Sequence, residues 1–189
     1  MRRVLGIDPG LTRCGVGVVD VDARRRGTLV HVGVIRTPVD APIGERLAAV
    51  AAGLREVLEE HRPDAVAVER VFAQQNRQTV MGTAQASGIA LLVAAEAGIP
   101  AATHTPSEVK AAVTGYGSAD KKQVQAMIAR ILRLDAPPQP ADAADALAIA
   151  LCHAWRGGAA IGPAGEQTPA QRAWADAERV ARTYLRSRA

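Results

Sequence analysis

Val4-Leu5-Gly6-Ile7-Asp8-Pro9-Gly10 is the stretch around which the rest of the chain is organised. Four mostly apolar residues lead into one carboxylate, which predicts a buried strand that ends at Asp8. Pro9 cannot donate a hydrogen bond to a sheet, and Gly10 tolerates the positive φ of a tight turn, so the chain turns after Asp8. Asp8 is therefore expected at the carboxyl end of a strand, where α/β sheets bind ligands. The alternative is a turn residue with no further role.

The composition predicts one globular domain with a core of its own. The chain has 189 residues, of which 48% are hydrophobic and 22% charged, which is ordinary for such a domain. No stretch approaches the ~20 continuous apolar residues of a membrane span, and Met1-Arg2-Arg3 leaves no room for a signal peptide before the first strand. Cys14 and Cys152 lie far apart in apolar contexts, which predicts reduced thiols. We therefore expect a cytoplasmic protein.

The basic residues are unevenly distributed. A net charge of +4 and a pI near 9.6 are compatible with a polyanionic partner, although many proteins without one are equally basic. Only three of the 23 basic residues are lysines, and all three lie between Lys110 and Lys122. A compositional preference for arginine explains the small number of lysines, but it does not explain why they cluster.

Hydrophobic periodicity predicts an α/β fold with five strands and five helices. The strands are expected at residues 4–8, 14–20, 28–35, 65–69 and 101–105. Helices are expected at residues 43–61, 78–97, 106–113 and 141–155. Before the last of these, a further helix is expected with Lys121 and Lys122 in its first turn and a core face that extends from Val124 to Leu132. Short links make the first three strands an antiparallel meander, and a right-handed strand–helix–strand connection places the fourth strand parallel to the first and beside it.

The second helix is rich in small residues and nearly apolar all round, so we expect it to be buried on two sides, against the sheet and a second subunit. Residues 157–189 are rich in Ala, Gly, Pro and Arg and are predicted to form a linker and a loose helix.

Three more carboxylates are placed where they could meet Asp8. Glu69 ends a strand expected to be parallel to the first, so both side chains share one sheet edge. Asp142 and Asp145 are three residues apart on one helix and point the same way. Neither has a basic residue three or four positions away, although favourable charge near a helix N-terminus would explain each one singly. The four carboxylates converge if that helix lies across the sheet edge.

Four converging carboxylates would have raised pKa values and would destabilise the fold unless cations were present. Hard divalent cations remove this penalty, and Mg²⁺ prefers oxygen ligands. Two such ions ~4 Å apart suit in-line attack of water on a phosphodiester. The pattern therefore predicts a two-metal site for phosphodiester hydrolysis.

Four motifs, in this order and spacing along residues 1 to about 156, resemble the RuvC family of bacterial Holliday-junction resolvases, in the RNase H-like superfamily. They are Leu5-Gly6-Ile7-Asp8-Pro9-Gly10, Val68-Glu69-Arg70-Val71-Phe72, Gly117-Ser118-Ala119-Asp120-Lys121-Lys122-Gln123-Val124-Gln125 and Ala141-Asp142-Ala143-Ala144-Asp145-Ala146-Leu147-Ala148. The first motif alone is weak, because actin-like ATPases carry a similar Gly-Ile-Asp. The four together are highly specific.

The resemblance implies an RNase H-like mixed five-stranded sheet of order 3-2-1-4-5, with strand 2 antiparallel and helices on the faces. It implies a nuclease domain at residues 1–156, and no family-wide motif extends into the tail at 157–189. The expected activity is that of a homodimeric, Mg²⁺-dependent endodeoxyribonuclease, with Mn²⁺ as a substitute ion. Such an enzyme nicks two like-polarity strands of a four-way DNA junction during recombination and repair, with RuvA and RuvB as partners.

The resemblance also assigns roles to individual residues. The catalytic, metal-binding carboxylates of the family fall on Asp8, Glu69, Asp142 and Asp145. Its catalytic-site lysines fall on Lys110 and Lys121, and its junction-contacting aromatic falls on Phe72. Arg77 and Lys122 are the other basic residues expected to contact DNA. Some family members carry His where this chain has Asp142. A lone Phe usually packs inward, so a core role for Phe72 is the alternative.

Three other functions remain open. An actin-like ATPase or kinase would need a second phosphate-binding glycine motif and a second lobe, and neither is found in the 189 residues. A junction-binding scaffold without catalysis would not require the intact carboxylate set. A different RNase H-like nuclease, such as an RNA–DNA hybrid hydrolase, is distinguished only by comparing substrates.

Overall fold

The computed structural model describes residues 1–71 and 77–156, without the side chains of 77–79. The strands are β1 Arg2–Asp8, β2 Arg13–Val21, β3 Gly27–Arg36, β4 Ala65–Glu69 and β5 Ala101–His104. The helices are α1 Ile43–His61, α2 Arg77–Glu96, α3 Pro106–Thr114, α4 Lys121–Leu132 and α5 Ala141–Arg156. Every strand and helix predicted within residues 1–156 is present, and no end that was predicted there differs from its observed position by more than two residues. The tail predicted at 157–189 lies outside the described residues.

The five strands form one mixed sheet in the order β3-β2-β1-β4-β5. β1 to β3 are an antiparallel meander, and β4 runs parallel to both β1 and β5. The predicted strand order and the antiparallel second strand are therefore confirmed. Because β1 and β4 are parallel neighbours, Asp8 and Glu69 end at the same edge of the sheet.

Helices cover both faces of the sheet. α1 and α2 pack on one face, where they bury Leu5 and Ile7 of β1. α3, α4 and α5 pack on the other face, against Val4. Alternate residues of β1 thus enter different cores, which explains why the strand has no polar alternation. No helix within the described residues is long and apolar enough to cross a membrane.

Glycines in β1 and β2 allow α5 to lie directly on the sheet. A Cβ atom added to Gly6 would be 2.0 Å from the Ala146 carbonyl oxygen, and one added to Gly15 would be 2.2 Å from that of Asp142. Gly6 is paired with Gly17, where a Cβ would also come within 2.9 Å of α5. Helix and strand backbones therefore approach more closely than any side chain would permit. This contact brings the first turn of α5 over the carboxyl end of β1.

Candidate active site

Three of the four predicted carboxylates meet at one point. One oxygen from each of Asp8, Asp142 and Asp145 lies within 4.8 Å of the other two, and all three residues are partly buried. Asp8 ends β1, and Asp142 and Asp145 stand on successive turns of α5. Gly15 is the β2 residue opposite Asp8, so its missing side chain is what admits Asp142. We refer to these three residues as the carboxylate cluster.

Glu69 lies beside the cluster but outside its tight group. It ends β4, next to β1, and it does not belong to the described set of carboxylates whose oxygens lie within 4.8 Å of one another. Burial raises the pKa of Glu69, and the charge of Asp145 raises it further. The four carboxylates therefore share one electrostatic environment, in which Glu69 occupies the β4 side.

Asp8 carries the largest pKa shift in this group. Burial, and after it the charges of Glu69, Asp145 and Asp142, raise the pKa of Asp8 to about 8, although the charge of Lys121 opposes the shift. No side chain donates a hydrogen bond to Asp8 within the part of the chain that the structure describes. A buried carboxylate among like charges and without donors is unfavourable for folding alone. It is the environment that a divalent cation would stabilise.

Basic side chains pair with the two outer members of the cluster. Lys121 Nζ donates to Asp145 Oδ2 at 2.8 Å, and Arg13 Nε donates to Asp142 Oδ2 at 2.6 Å. These partners lie 24 and 129 residues away in sequence, so a search along α5 alone could not find them. The Lys121 and Arg13 side chains are 55% and 47% exposed. Such pairs contribute only ~0–1 kcal/mol, which a bound cation could readily replace.

A well-capped helix positions Lys121. The Asp120 side chain accepts from the backbone N–H of Gln123, and the Gln123 side chain accepts from that of Asp120. This capping box starts α4 at Lys121. A cation at a helix N-terminus is mildly unfavourable, and the bond to Asp145 offsets that cost and raises the pKa of Lys121.

The other two lysines differ in their surroundings. Lys110, on α3, is partly exposed, and its charge lowers the pKa of Glu69, so it lies on the β4 side of the site. Lys122 is exposed in the first turn of α4. Among the described residues it forms no ion pair with the carboxylates. Of the three lysines, Lys121 alone is bonded to the cluster in this state.

Two predicted DNA contacts cannot be located in the same way. Phe72 lies outside the described residues. Arg77 begins α2, but its side chain is not described. Their assignment as DNA contacts therefore stays a prediction.

The carboxylate cluster fits a hard divalent cation. Every donor is a carboxylate oxygen, the ligand type that Mg²⁺, Mn²⁺ and Ca²⁺ share. Two oxygens on opposite sides of one Mg²⁺ are about 4.2 Å apart. The oxygens of the cluster lie within 4.8 Å of one another, which is close to that span.

Sequence reasoning did not identify two arginines that lie near the site, Arg13 and Arg46. Arg13 begins β2 and holds Asp142. Arg46, on α1, donates to Thr37 Oγ1 at 2.9 Å and to Thr12 Oγ1 at 2.7 Å. The available signal was position: Thr12 and Arg13 directly follow the turn after Asp8. In a chain this rich in arginine, that signal does not stand out.

Comparison with known proteins gives a consistent assignment. Residues 4–153 match the model of the family described as Crossover junction endodeoxyribonuclease RuvC. The protein of that name from Leifsonia xyli subsp. xyli is 63% identical over an alignment that covers 96% of this chain and 94% of that protein. The protein of that name from Paenarthrobacter aurescens is 60% identical over 183 residues, which cover 95% of this chain and 97% of that protein.

A solved structure has the same fold. T. thermophilus RuvC in complex with Holliday junction substrate superimposes with a TM-score of 0.80 at 40% identity, over 84% of this chain and 96% of that one. The mixed sheet with helices on both faces is thus the RNase H-like fold.

Proposed function

Because the chain belongs to the RuvC family of crossover junction endodeoxyribonucleases, we propose that it resolves four-way DNA junctions. The reaction is hydrolysis of one phosphodiester bond in each of two strands of like polarity, which leaves ends that can be ligated. The observation that carries this proposal is the convergence of Asp8, Asp142 and Asp145 at the sheet edge where α/β folds bind ligands. The biological setting would be recombination and DNA repair in the cytoplasm.

We assign the metal role to Asp8, Asp142 and Asp145, with Glu69 as the fourth carboxylate of a two-ion site. Mg²⁺ is the expected ion and Mn²⁺ its substitute, because both select oxygen ligands. When bound, such cations lower the pKa of water and stabilise negative charge on phosphate oxygens.

Lys121 and Lys110 would place positive charge from the protein itself near the scissile phosphate. A bound cation would neutralise Asp145 in place of Lys121, and the ammonium group of Lys121 would then be available to contact the scissile phosphate. Lys110 would act from the Glu69 side. Both would favour a transition state in which negative charge accumulates on phosphate oxygens.

Symmetric cleavage needs two sites, and a C₂ dimer matches the two equivalent strands of a junction. An apolar stripe on α2 supports this assembly. Met81 and Leu92 are 61% and 51% exposed there, and Leu91 is 36% exposed. The exposed small residues Ala84, Gly88 and Ala95 continue the same helical face. We propose that this stripe packs against a second copy of the chain.

Further contacts are proposed from the family resemblance. Phe72 would stack on a base at the open centre of the junction, and such stacking contributes ~1–3 kcal/mol per base. Arg77 and Lys122 would contact the DNA backbone. RuvA and RuvB would hold and migrate the junction that this protein cleaves.

The decisive experiment compares substrates. The protein is incubated with Mg²⁺ and a synthetic four-way junction, a linear duplex of the same sequence, or an RNA–DNA hybrid. We expect paired nicks in strands of like polarity on the junction alone, and none in the presence of EDTA. Equal cleavage of the linear duplex, or preference for the hybrid, would contradict the proposal. ATP turnover measured in the same preparation tests the ATPase alternative.

A further inference from the structure

A cavity of about 410 Å³ opens beside the carboxylate cluster. The turn between β1 and β2 forms one wall through Gly10, Thr12 and Arg13, Arg46 of α1 forms another, and Gly82 and Thr83 of α2 complete it. We call it the turn cavity. Arg13 connects it to the site already described, because Arg13 lines the cavity and its side chain also donates to Asp142.

Arg46 is fixed in this cavity by neutral groups. Its Nε and Nη2 atoms donate to the hydroxyls of Thr37 and Thr12, and the buried Thr37 hydroxyl in turn donates to the Leu11 carbonyl at 2.6 Å. No carboxylate pairs with Arg46 in the part of the chain that the structure describes. On the same helix, by contrast, Arg55 Nη2 lies 2.9 Å from a Glu96 carboxylate oxygen.

This arrangement leaves Arg46 prepared for an anion. A guanidinium has five N–H groups, and two of them are used by the threonines. About three N–H groups and the full positive charge stay available on a side chain that is already oriented. Arg13 adds a second guanidinium in the same cavity. Planar, fixed guanidinium groups are the form in which proteins bind phosphate most specifically.

We propose that the turn cavity binds a backbone phosphate of the strand that is cut, with Arg46 as the main contact and Arg13 as its neighbour. This inference rests on the proposed function. Asp8 and Thr12 are four residues apart, so their backbones are separated by at most ~14 Å. A DNA strand rises ~3.4 Å per nucleotide, so a separation of this order corresponds to about four nucleotides between the bound phosphate and the bond that is hydrolysed. Its role is to set the register of the strand across the cluster.

The first test measures affinity for a four-way junction in the Asp8→Asn background, which prevents cleavage. Arg46→Ala is compared with Arg55→Ala, the matched control on the same helix. We expect Arg46→Ala to weaken binding about tenfold and to reduce the slope of log affinity against log salt by about one, as the loss of one phosphate contact does. Arg55→Ala should change neither value. Unchanged affinity and slope for Arg46→Ala would overturn the inference.

The second test locates the phosphate. Junctions carry a single uncharged methylphosphonate at each position within four nucleotides of the cleaved bond. At one position, the substitution should weaken binding by the protein that retains Arg46 but should not weaken binding by Arg46→Ala any further. Additive losses at every position would overturn the inference. If Arg46→Ala lowers Tm so far that binding cannot be measured, Arg46→Gln takes its place, because it removes the charge but keeps a long side chain that can donate to a threonine hydroxyl.

These outcomes separate the inference from the function on which it rests. A wild-type protein that binds the junction no better than a linear duplex contradicts the proposed function. Selective junction binding that is insensitive to Arg46 contradicts only the turn cavity.

Discussion

The two ends of β1 place an aspartate in opposite electrostatic environments: Asp20 of β2 lies beside the amino end, and Asp8 is the last residue at the carboxyl end. At the amino end, Arg3 donates from Nε and Nη2 to the two oxygens of Asp20, each at 2.8 Å, and this bond lowers the pKa of Asp20. At the carboxyl end, burial and neighbouring carboxylates raise the pKa of Asp8 to about 8. The aspartate at the amino end is therefore paired with an arginine, and we call this the satisfied end. The aspartate at the carboxyl end is surrounded by other carboxylates, and we call this the crowded end.

The difference separates residues that stabilise the fold from residues that serve the reaction. A carboxylate with a bidentate arginine is explained by stability alone. A carboxylate that is buried beside three others and lacks a donor among the described residues opposes folding, so its presence needs another reason. The proposed metal binding and phosphodiester hydrolysis would supply that reason at the Asp8 end.

The largest expected effect comes from a substitution at the crowded end. Asp8→Asn keeps the shape of the side chain and removes its charge, so we expect cleavage to fall by ~10²–10³-fold or more. Junction binding should persist, since it depends mainly on basic residues and phosphates. In metal-free buffer, Tm should rise because the repulsion is relieved. Single-turnover cleavage and thermal melting measure the two effects. Near-wild-type cleavage would contradict the assignment of Asp8 as a metal ligand.

Gly15→Ala should separate the members of the cluster without changing any of their charges. Its Cβ would meet the Asp142 backbone at 2.2 Å, so α5 must move away from β2. We expect a loss of at least ~1–3 kcal/mol in the free energy of unfolding, together with weaker binding of the metal. Gly44→Ala is the control, because nothing lies within 4 Å of its Cβ position. Denaturant melts and Mn²⁺ titration give the readouts, and equal behaviour of the two variants would contradict the close-packing argument.

The glycines that contact α5 also show which features could not be predicted from the sequence. Runs such as the one ending at Asp8 predicted the strands and helices of residues 1–156, because hydrophobic periodicity is local. The motif order predicted the family and the fold, and both are confirmed. Gly15 and Gly17 looked like ordinary strand residues, since their role depends on the backbone of a helix far along the chain. The same distance hid the pairing of Arg13 with Asp142, which are 129 residues apart.

Lys121→Ala removes a cation from the crowded end and should have an intermediate effect. We expect cleavage to slow by about 10–100-fold, because positive charge near the scissile phosphate favours the transition state, with only slightly weaker binding. Lys122→Ala is the control: the next residue carries the same charge but does not contact the cluster. Its loss should appear in binding and salt dependence alone. Equal slowing of cleavage by both variants would show that Lys121 contributes only to the general basic surface.

The smallest expected effect comes from a substitution at the satisfied end. Asp20→Asn removes the charged acceptor of Arg3 and should lower the free energy of unfolding by about 1 kcal/mol. The estimate is modest because the Arg3 side chain is 36% exposed and that of Asp20 is 17% exposed. For a protein of this size the change corresponds to a Tm about 2–4 °C lower. Cleavage should be unchanged, since Asp20 lies at the other end of β1 from the cluster.

The pH dependence of that stability difference identifies its cause. The pKa of Asp20 in the folded protein lies below its ordinary value of 3.8, so at acid pH the unfolded chain binds a proton before the folded one does. Stability from the Arg3 pair is therefore fully present above the unfolded pKa and is lost as pH falls through the folded pKa. Wild type and Asp20→Asn should differ in Tm at pH 7 and converge as the pH is lowered below about 3.8. A difference that stays constant down to pH 2 would mean that packing, rather than the ion pair, distinguishes the two proteins.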